Sequence, residues 1–107
     1  LDCVGKPDEA EREFKASLAI EQQASTWTQF GVFYARAARN AEALEAFNHA
    51  LALSPGFPLA YSNRGNLFAR QGDCQRAIPD FEQALRLMPT NITAQRGLAY
   101  CRERMGR

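Results

Sequence analysis

The chain has 107 residues, 46% of them apolar, which is enough for one domain with a modest core. Its 13 Lys and Arg nearly balance 12 Asp and Glu, leaving a formal charge of +1; a balance that close argues against a dedicated nucleic-acid or membrane-surface binder. The apolar residues fall in short periodic runs, none near the ~20 residues a membrane span needs.

Six helices are predicted in chain order. The first, 7–21, carries Ala10, Phe14 and Leu18 on one stripe and ends at the linker Glu21-Gln22-Gln23. The second, 24–37, places Trp27, Phe30, Gly31 and Tyr34 at i, i+3, i+4 and i+7, one face of a helix. The third, 41–53, does the same with Ala43, Phe47, Ala50 and Leu51, and Pro55 closes it. The fourth, 58–71, carries Tyr61, Gly65 and Phe68, and Gly72 separates it from the fifth. The fifth, 74–87, carries Ala77, Phe81 and Ala84 and ends before Pro89; Pro79 inside it should bend it slightly. The sixth, 92–105, has Leu98 and Ala99 in register, but Gln95 and Arg102 stand where the earlier helices have aromatics, as suits a solvated capping helix.

An offset of 34 aligns the chain with itself. Trp27 falls on Tyr61, Gly31 on Gly65, Tyr34 on Phe68, Ala43 on Ala77 and Phe47 on Phe81; Ala50, Leu51, Leu53 and Pro55 then meet Ala84, Leu85, Leu87 and Pro89. Small residues stand where two helices must approach closely, and Trp27, Phe47, Tyr61 and Phe81 supply the bulk between them. Residues 5–20 repeat the second-helix pattern less fully, at an offset of 33 and without the proline.

These residues resemble the tetratricopeptide repeat (TPR) family. Residues 24–57 carry W-x2-F-G-x2-Y followed by Ala43, Phe47, Ala50 and Pro55, and residues 58–91 carry Tyr61, Gly65, Phe68, Ala77, Phe81, Ala84 and Pro89. Arg64 departs from the pattern, which has a large apolar residue there; its stem should pack while the guanidinium reaches water. The resemblance implies an all-α fold, a right-handed superhelical array of antiparallel helix pairs. It divides the chain into a half repeat (1–23), two full repeats (24–57 and 58–91) and a terminal capping helix (92–107). Leu1–Val4 would be the stub of a lost first helix, and the whole is expected to be part of something longer.

No catalytic constellation is present: no glycine-rich phosphate loop, no HExxH, no GxSxG and no clustered His, Cys and Asp. The chain is therefore not expected to be an enzyme or to hold a metal or cofactor. Cys3, Cys74 and Cys101 are odd in number and form no CxxC pair, which suggests neither a zinc site nor a redox motif and favours a reducing, cytoplasmic location. His49, the one histidine, reads as a plain surface residue. Asn91-Ile92-Thr93 is a glycosylation sequon, but it stands where a helix should begin, so capping is the expected role.

The resemblance implies that the first helix of each pair lines a concave groove. Off the packing face, helix 24–37 then offers Ser25, Thr28, Gln29, Val32 and Arg36, and helix 58–71 offers Leu59, Ser62, Asn63, Asn66 and Arg70. The terminal helix adds Thr93, Arg96, Tyr100 and Arg104. The candidate groove residues are Gln29, Val32, Arg36, Leu59, Asn63, Asn66, Arg70, Arg96 and Tyr100. Asn can hydrogen-bond an extended peptide backbone and Arg can fork onto a carboxylate. The expected function is a protein–protein interaction scaffold that takes an extended, acidic peptide, with no nucleic-acid partner and no membrane insertion. Members of the family that hold the acidic C-terminus of heat-shock chaperones use Lys and Asn at set groove places; Asn63 stands at one, but Thr28, Val32, Thr93 and Gly97 at the neighbouring ones disfavour that role. The alternatives are a self-associating structural module, a homo-oligomer through the apolar face of the N-terminal helix with Phe14, or a regulatory arm of a larger multidomain protein.

Overall fold

A computed structural model of the chain describes residues 2–106; side chains are described for residues 12, 15, 16 and 19–106. It contains five helices: α1 (Asp2–Arg36), α2 (Asn40–Leu53), α3 (Pro58–Arg70), α4 (Cys74–Leu87) and α5 (Ile92–Arg104). There is no strand among the described residues. The expectation of an all-α helical array of TPR type holds. The helix break expected at Glu21-Gln22-Gln23 does not, because α1 runs through it. Glu, Gln and Ala are good helix formers and nothing there removes a backbone donor. The later boundaries at Pro55 and Pro89 have a proline, and both end a helix. The expected stripe of Ala10, Phe14 and Leu18 lies outside the described side chains.

Turns of three residues join the helices within each pair, so α2 runs back along the C-terminal half of α1 and α4 along α3. Each first helix closes with a residue in the left-handed region, and these recur with the sequence period: Ala38 (φ 62°), Gly72 (φ 84°) and Gly106 (φ 76°). Two of the three are glycine, which adopts that region without penalty, while Ala38 carries a Cβ into it. The residue that follows differs as well. Asp73 caps α4 by accepting the Arg76 N–H at 3.1 Å, whereas Arg39 gives α2 no side-chain cap and pairs with Glu42 instead. Asn91 caps α5, its Oδ1 accepting the Ala94 N–H at 3.0 Å, and it is buried; the sequon reading gives way to the capping one.

The core is built from the small and bulky residues of the repeat. Phe47 and Phe81 are fully buried, each ring lying over a glycine of a facing helix: Phe47 over Gly31, Phe81 over Gly65 and Gly97. A Cβ on Gly65 would stand 2.8 Å from the Phe81 ring and 3.2 Å from the Ala77 carbonyl, so nothing larger than glycine fits. Ala24, Ala50 and Ala60 form a second buried cluster with Trp27, Leu51, Leu53 and Phe57 around it. Helix α4 passes through Pro79 uninterrupted; the donor lost there would have served the carbonyl of the exposed Gln75, in the helix's first turn.

Two side chains sit differently from expectation. The Arg64 guanidinium does not reach out to water. It forks onto Asp80 of α4, with Nε to Oδ2 at 2.7 Å and Nη2 to Oδ1 at 2.8 Å, and donates from Nη1 to Asn48 of α2 at 2.8 Å. Asp80 is buried, and the hydrogen bond to it raises the Arg64 pKa above the ordinary arginine value despite the opposing cost of burial. Phe30, expected on the packing face, is 48% exposed, because no helix covers that side of α1.

Cys74 and Cys101 are joined in a disulfide between α4 and α5, their Cα atoms 5.3 Å apart. Nothing in the spacing of the cysteines in sequence pointed to this pair. The two are 27 residues apart in sequence and meet only because α5 packs back on α4.

Three outcomes follow from this packing. Phe47→Ala and Phe81→Ala should each cost about 3–5 kcal/mol in urea denaturation, since each empties a fully enclosed site; a loss below about 1 kcal/mol for both would show that the rings are not the core. Asp80→Ala leaves the half-buried Arg64 without its acceptor and should cost about 1.5–3 kcal/mol, with Asp80→Asn intermediate. Ala38→Gly should raise stability by about 1 kcal/mol by relieving the left-handed turn, whereas Gly72→Ala should lower it.

Candidate functional site

The first helices α1, α3 and α5 lie side by side and form one continuous face with three adjoining hollows. One, of about 220 Å³, is bordered by Ser25, Thr28, Gln29 and Val32 of α1, by Phe57 before α3, and by Leu59 and Asn63 of α3. The next, about 250 Å³, shares Val32 and Asn63 with it and adds Arg36, Asn66, Arg70 and Thr93. The widest, about 460 Å³, shares Asn66, Arg70 and Thr93 and is completed by Ala69, Arg96, Gly97 and Tyr100. The shared residues make the three a single trough across the helices.

All nine candidate groove residues border this trough. Gln29, Val32 and Arg36 stand on α1, Leu59, Asn63, Asn66 and Arg70 on α3, and Arg96 and Tyr100 on α5. Two further residues expected to face a ligand have their hydroxyls turned to their own helices, although Thr28 borders the smallest hollow. Thr28 and Ser62 are buried, and each hydroxyl donates to its own helix, Thr28 to the Ala24 carbonyl at 2.8 Å and Ser62 to the Leu59 carbonyl at 3.2 Å. Arg104, one repeat beyond Arg70, lies over the Tyr100 ring at 4.9 Å and borders none of the three hollows.

Gly97, read in the sequence only as a groove place unsuited to a chaperone tail, also shapes the trough. It holds the place that Asn63 and Gln29 hold one and two repeats earlier, so α5 lacks a side chain where the other walls have an amide. The Phe81 ring lies directly beneath, and the widest part of the trough opens there.

The lining of the trough carries positive charge and no negative charge. Arg39, Arg64, Arg76 and Arg102 each pair with a carboxylate, Arg76 with Asp73 at 3.3 Å and Arg102 with Glu82 at 3.6 Å. Arg36, Arg70 and Arg96 have no such partner among the described residues, and no Asp or Glu borders any of the three hollows. The trough is therefore a concave, basic surface with amides, and Val32, Phe57 and Leu59 give it an apolar place at the α1 end.

Among the described residues no group of three or more His, Cys, Asp or Glu is close enough to hold a metal ion. His49 is exposed, as expected, and stacks on Trp27 with the ring centres 4.6 Å apart. No helix among the described residues is long and apolar enough to cross a membrane.

Comparison with known proteins agrees with this architecture. Family models described as "Tetratricopeptide repeat" and "TPR repeat" match residues 58–91 and 34–72, together more than half of the chain. The chain belongs to the tetratricopeptide repeat family. Tetratricopeptide repeat protein 14 of Mus musculus is 34% identical over 93 residues, covering 83% of this chain and 12% of that protein. Tetratricopeptide repeat protein 36 of Xenopus tropicalis is 37% identical over 78 residues, 73% of this chain and 39% of that protein. Tetratricopeptide repeat protein 6 of Homo sapiens is 27% identical over 88 residues, 82% of this chain and 17% of that protein. This chain thus spans well under half the length of these relatives. TPR repeats mediate protein–protein interaction, and proteins of the family are typically scaffolds without catalytic activity.

Proposed function

We propose that the chain binds an extended, acidic peptide segment of a partner protein along the trough made by α1, α3 and α5. The observation that carries this reading is the charge of the lining. Arg36, Arg70 and Arg96 border the trough without a carboxylate partner among the described residues, and no Asp or Glu borders it. Asn63 and Asn66, one helical turn apart, can each give and accept a hydrogen bond from a peptide backbone that has no partner of its own in an extended conformation. Val32 and Leu59 offer an apolar anchor at the α1 end, and the hollow over Gly97 admits a side chain or a terminal carboxylate at the α5 end. The wall contributes binding and orientation only; no group is arranged to move a proton or form a covalent bond, so the proposed role is that of a scaffold and not an enzyme.

Exposed ion pairs contribute only about 0–1 kcal/mol each, so affinity should be modest and should fall as salt is raised. The cytoplasmic location expected from the cysteine count is opposed by the Cys74–Cys101 bond, since disulfides persist mainly in oxidising compartments.

Calorimetric titration with a panel of decapeptides, acidic, basic and neutral, each with a free or an amidated C-terminus, tests the proposal. The acidic members should bind and the basic ones should not. Asn63→Ala combined with Arg70→Ala should weaken binding at least ~tenfold, about 1.4 kcal/mol, with the melting temperature unchanged. Equal affinity in the double variant would move the interaction away from the trough.

A further inference from the structure

The three first helices are not held alike. Helix α1 packs along α2, and α3 packs along α4 as well as α2. Helix α5 lies against α4 and α3, and among the described residues no second helix follows it. Its first half is well seated: Asn91 and Ala94 are buried and the Phe81 ring lies under Gly97. Leu98 and Cys101 are buried as well, but every residue from Arg102 to Gly106 is exposed. Beyond Cys101 the side chains offer an ion pair open to solvent, Arg102 to Glu82 at 3.6 Å, and the contact of Arg104 with Tyr100 of the same helix. Such contacts hold a helix end weakly. One repeat earlier, Leu67 and Asn40 stand at the places of Cys101 and Cys74, and there α4 covers the other side of α3. The disulfide thus stands where, among the described residues, a first helix lacks a second helix of its own.

We propose that the Cys74–Cys101 bond is a redox-sensitive clamp on the third wall of the trough. Oxidised, it fixes the C-terminal half of α5 against α4; reduced, it lets that half open and so weakens peptide binding. The consequence for binding rests on the peptide-binding reading above, whereas the clamp itself does not. Of the α5 residues that border the widest hollow, Tyr100 adjoins Cys101, Gly97 lies one helical turn before it, and Arg96 adjoins Gly97. Opening of this half removes the far wall of that hollow. The hollow between α1 and α3 has no residue of α5, and the middle one has Thr93 from the well-seated end. Reduction therefore shortens the site rather than abolishing it. Free cysteines still favour the interior as small apolar groups, so the reduced helix end opens and closes while the rest of the fold persists.

The burial of the two cysteines sets where reduction begins. Cys74 opens α4 and is half-buried, while Cys101 is fully enclosed, so an incoming thiolate meets the bond at the Cys74 sulfur. With a dithiol as reductant, one thiolate attacks Cys74 Sγ, the S–S bond breaks, and Cys101 leaves as a thiolate that takes a proton. The second thiol then displaces Cys74 from the mixed disulfide. The reductant ends as a cyclic disulfide, its two electrons and two protons now on Cys74 and Cys101.

The test compares the chain before and after treatment with dithiothreitol, with Cys3→Ser in every sample to remove exchange with the third thiol. Amide hydrogen exchange of residues 98–104, followed by NMR, should quicken at least ~tenfold on reduction, while that of α3 stays unchanged. In calorimetry an oligo-glutamate decapeptide should bind the reduced chain at least ~threefold more weakly, since α1 and α3 keep their part of the trough. Cys74→Ala, which cannot form the bond, should behave as the reduced chain with or without dithiothreitol, which separates loss of the bond from a side effect of the reagent. Equal exchange of residues 98–104 in the two forms overturns the clamp. A peptide that binds both forms equally overturns its control of binding. Faster exchange in a chain whose oxidised form binds no acidic peptide supports the clamp and overturns the peptide-binding reading instead, so the two fail separately.

Discussion

The contact of a phenylalanine ring with a bare glycine backbone is the constraint from which the rest of the array follows. Phe47 on Gly31 and Phe81 between Gly65 and Gly97 set how closely each second helix approaches the first helices beside it. At that separation the remaining interface positions can only be small, and Ala43, Ala50, Ala77 and Ala84 are fully enclosed there. Because the rings come from the second helices, each bridges from its helix towards the first-helix layer and leaves the outer faces of α1, α3 and α5 free to form the trough. The same contact that stabilises the pair therefore creates the candidate binding surface.

Charge is distributed in keeping with that geometry. Arg64 lies between successive repeats and is anchored to both, to Asn48 of one second helix and Asp80 of the next. It fills a place where the family has an apolar residue, and its fork to a buried carboxylate satisfies the polar atoms that burial would otherwise penalise. The trough arginines have no such neighbour. Under the proposed function, these unpaired arginines favour acidic chains over basic ones, an effect on encounter and specificity more than on affinity.

The two repeats are not equally well finished. The second has Gly72 and Asp73 at its turn, one free of left-handed strain and the other a helix cap; the first has Ala38 and Arg39 at the same places. The first also lacks a boundary on its N-terminal side, where Glu21-Gln22-Gln23 continues a helix that Pro55 and Pro89 end elsewhere. The long α1 and the bare Phe30–Phe33 face both follow from that missing stop.

The helix positions, the 34-residue period and the identity of the core rings were legible in the sequence, because a helix buries every third or fourth residue and a repeat must present the same small and bulky residues at each step. The nine groove residues were legible for the same reason: positions off the packing face of successive first helices fall on one side of the array. What sequence could not decide were features that depend on a neighbour distant in the chain. Whether the Arg64 guanidinium meets water or Asp80, whether Cys74 finds Cys101, and whether Phe30 is covered are settled by which helix lies opposite, and residues 16, 27 or more apart in sequence carry no local sign of meeting. The helix through residues 21–23 is the converse case, in which local propensity prevailed over the repeat pattern because no packed partner and no proline opposed it.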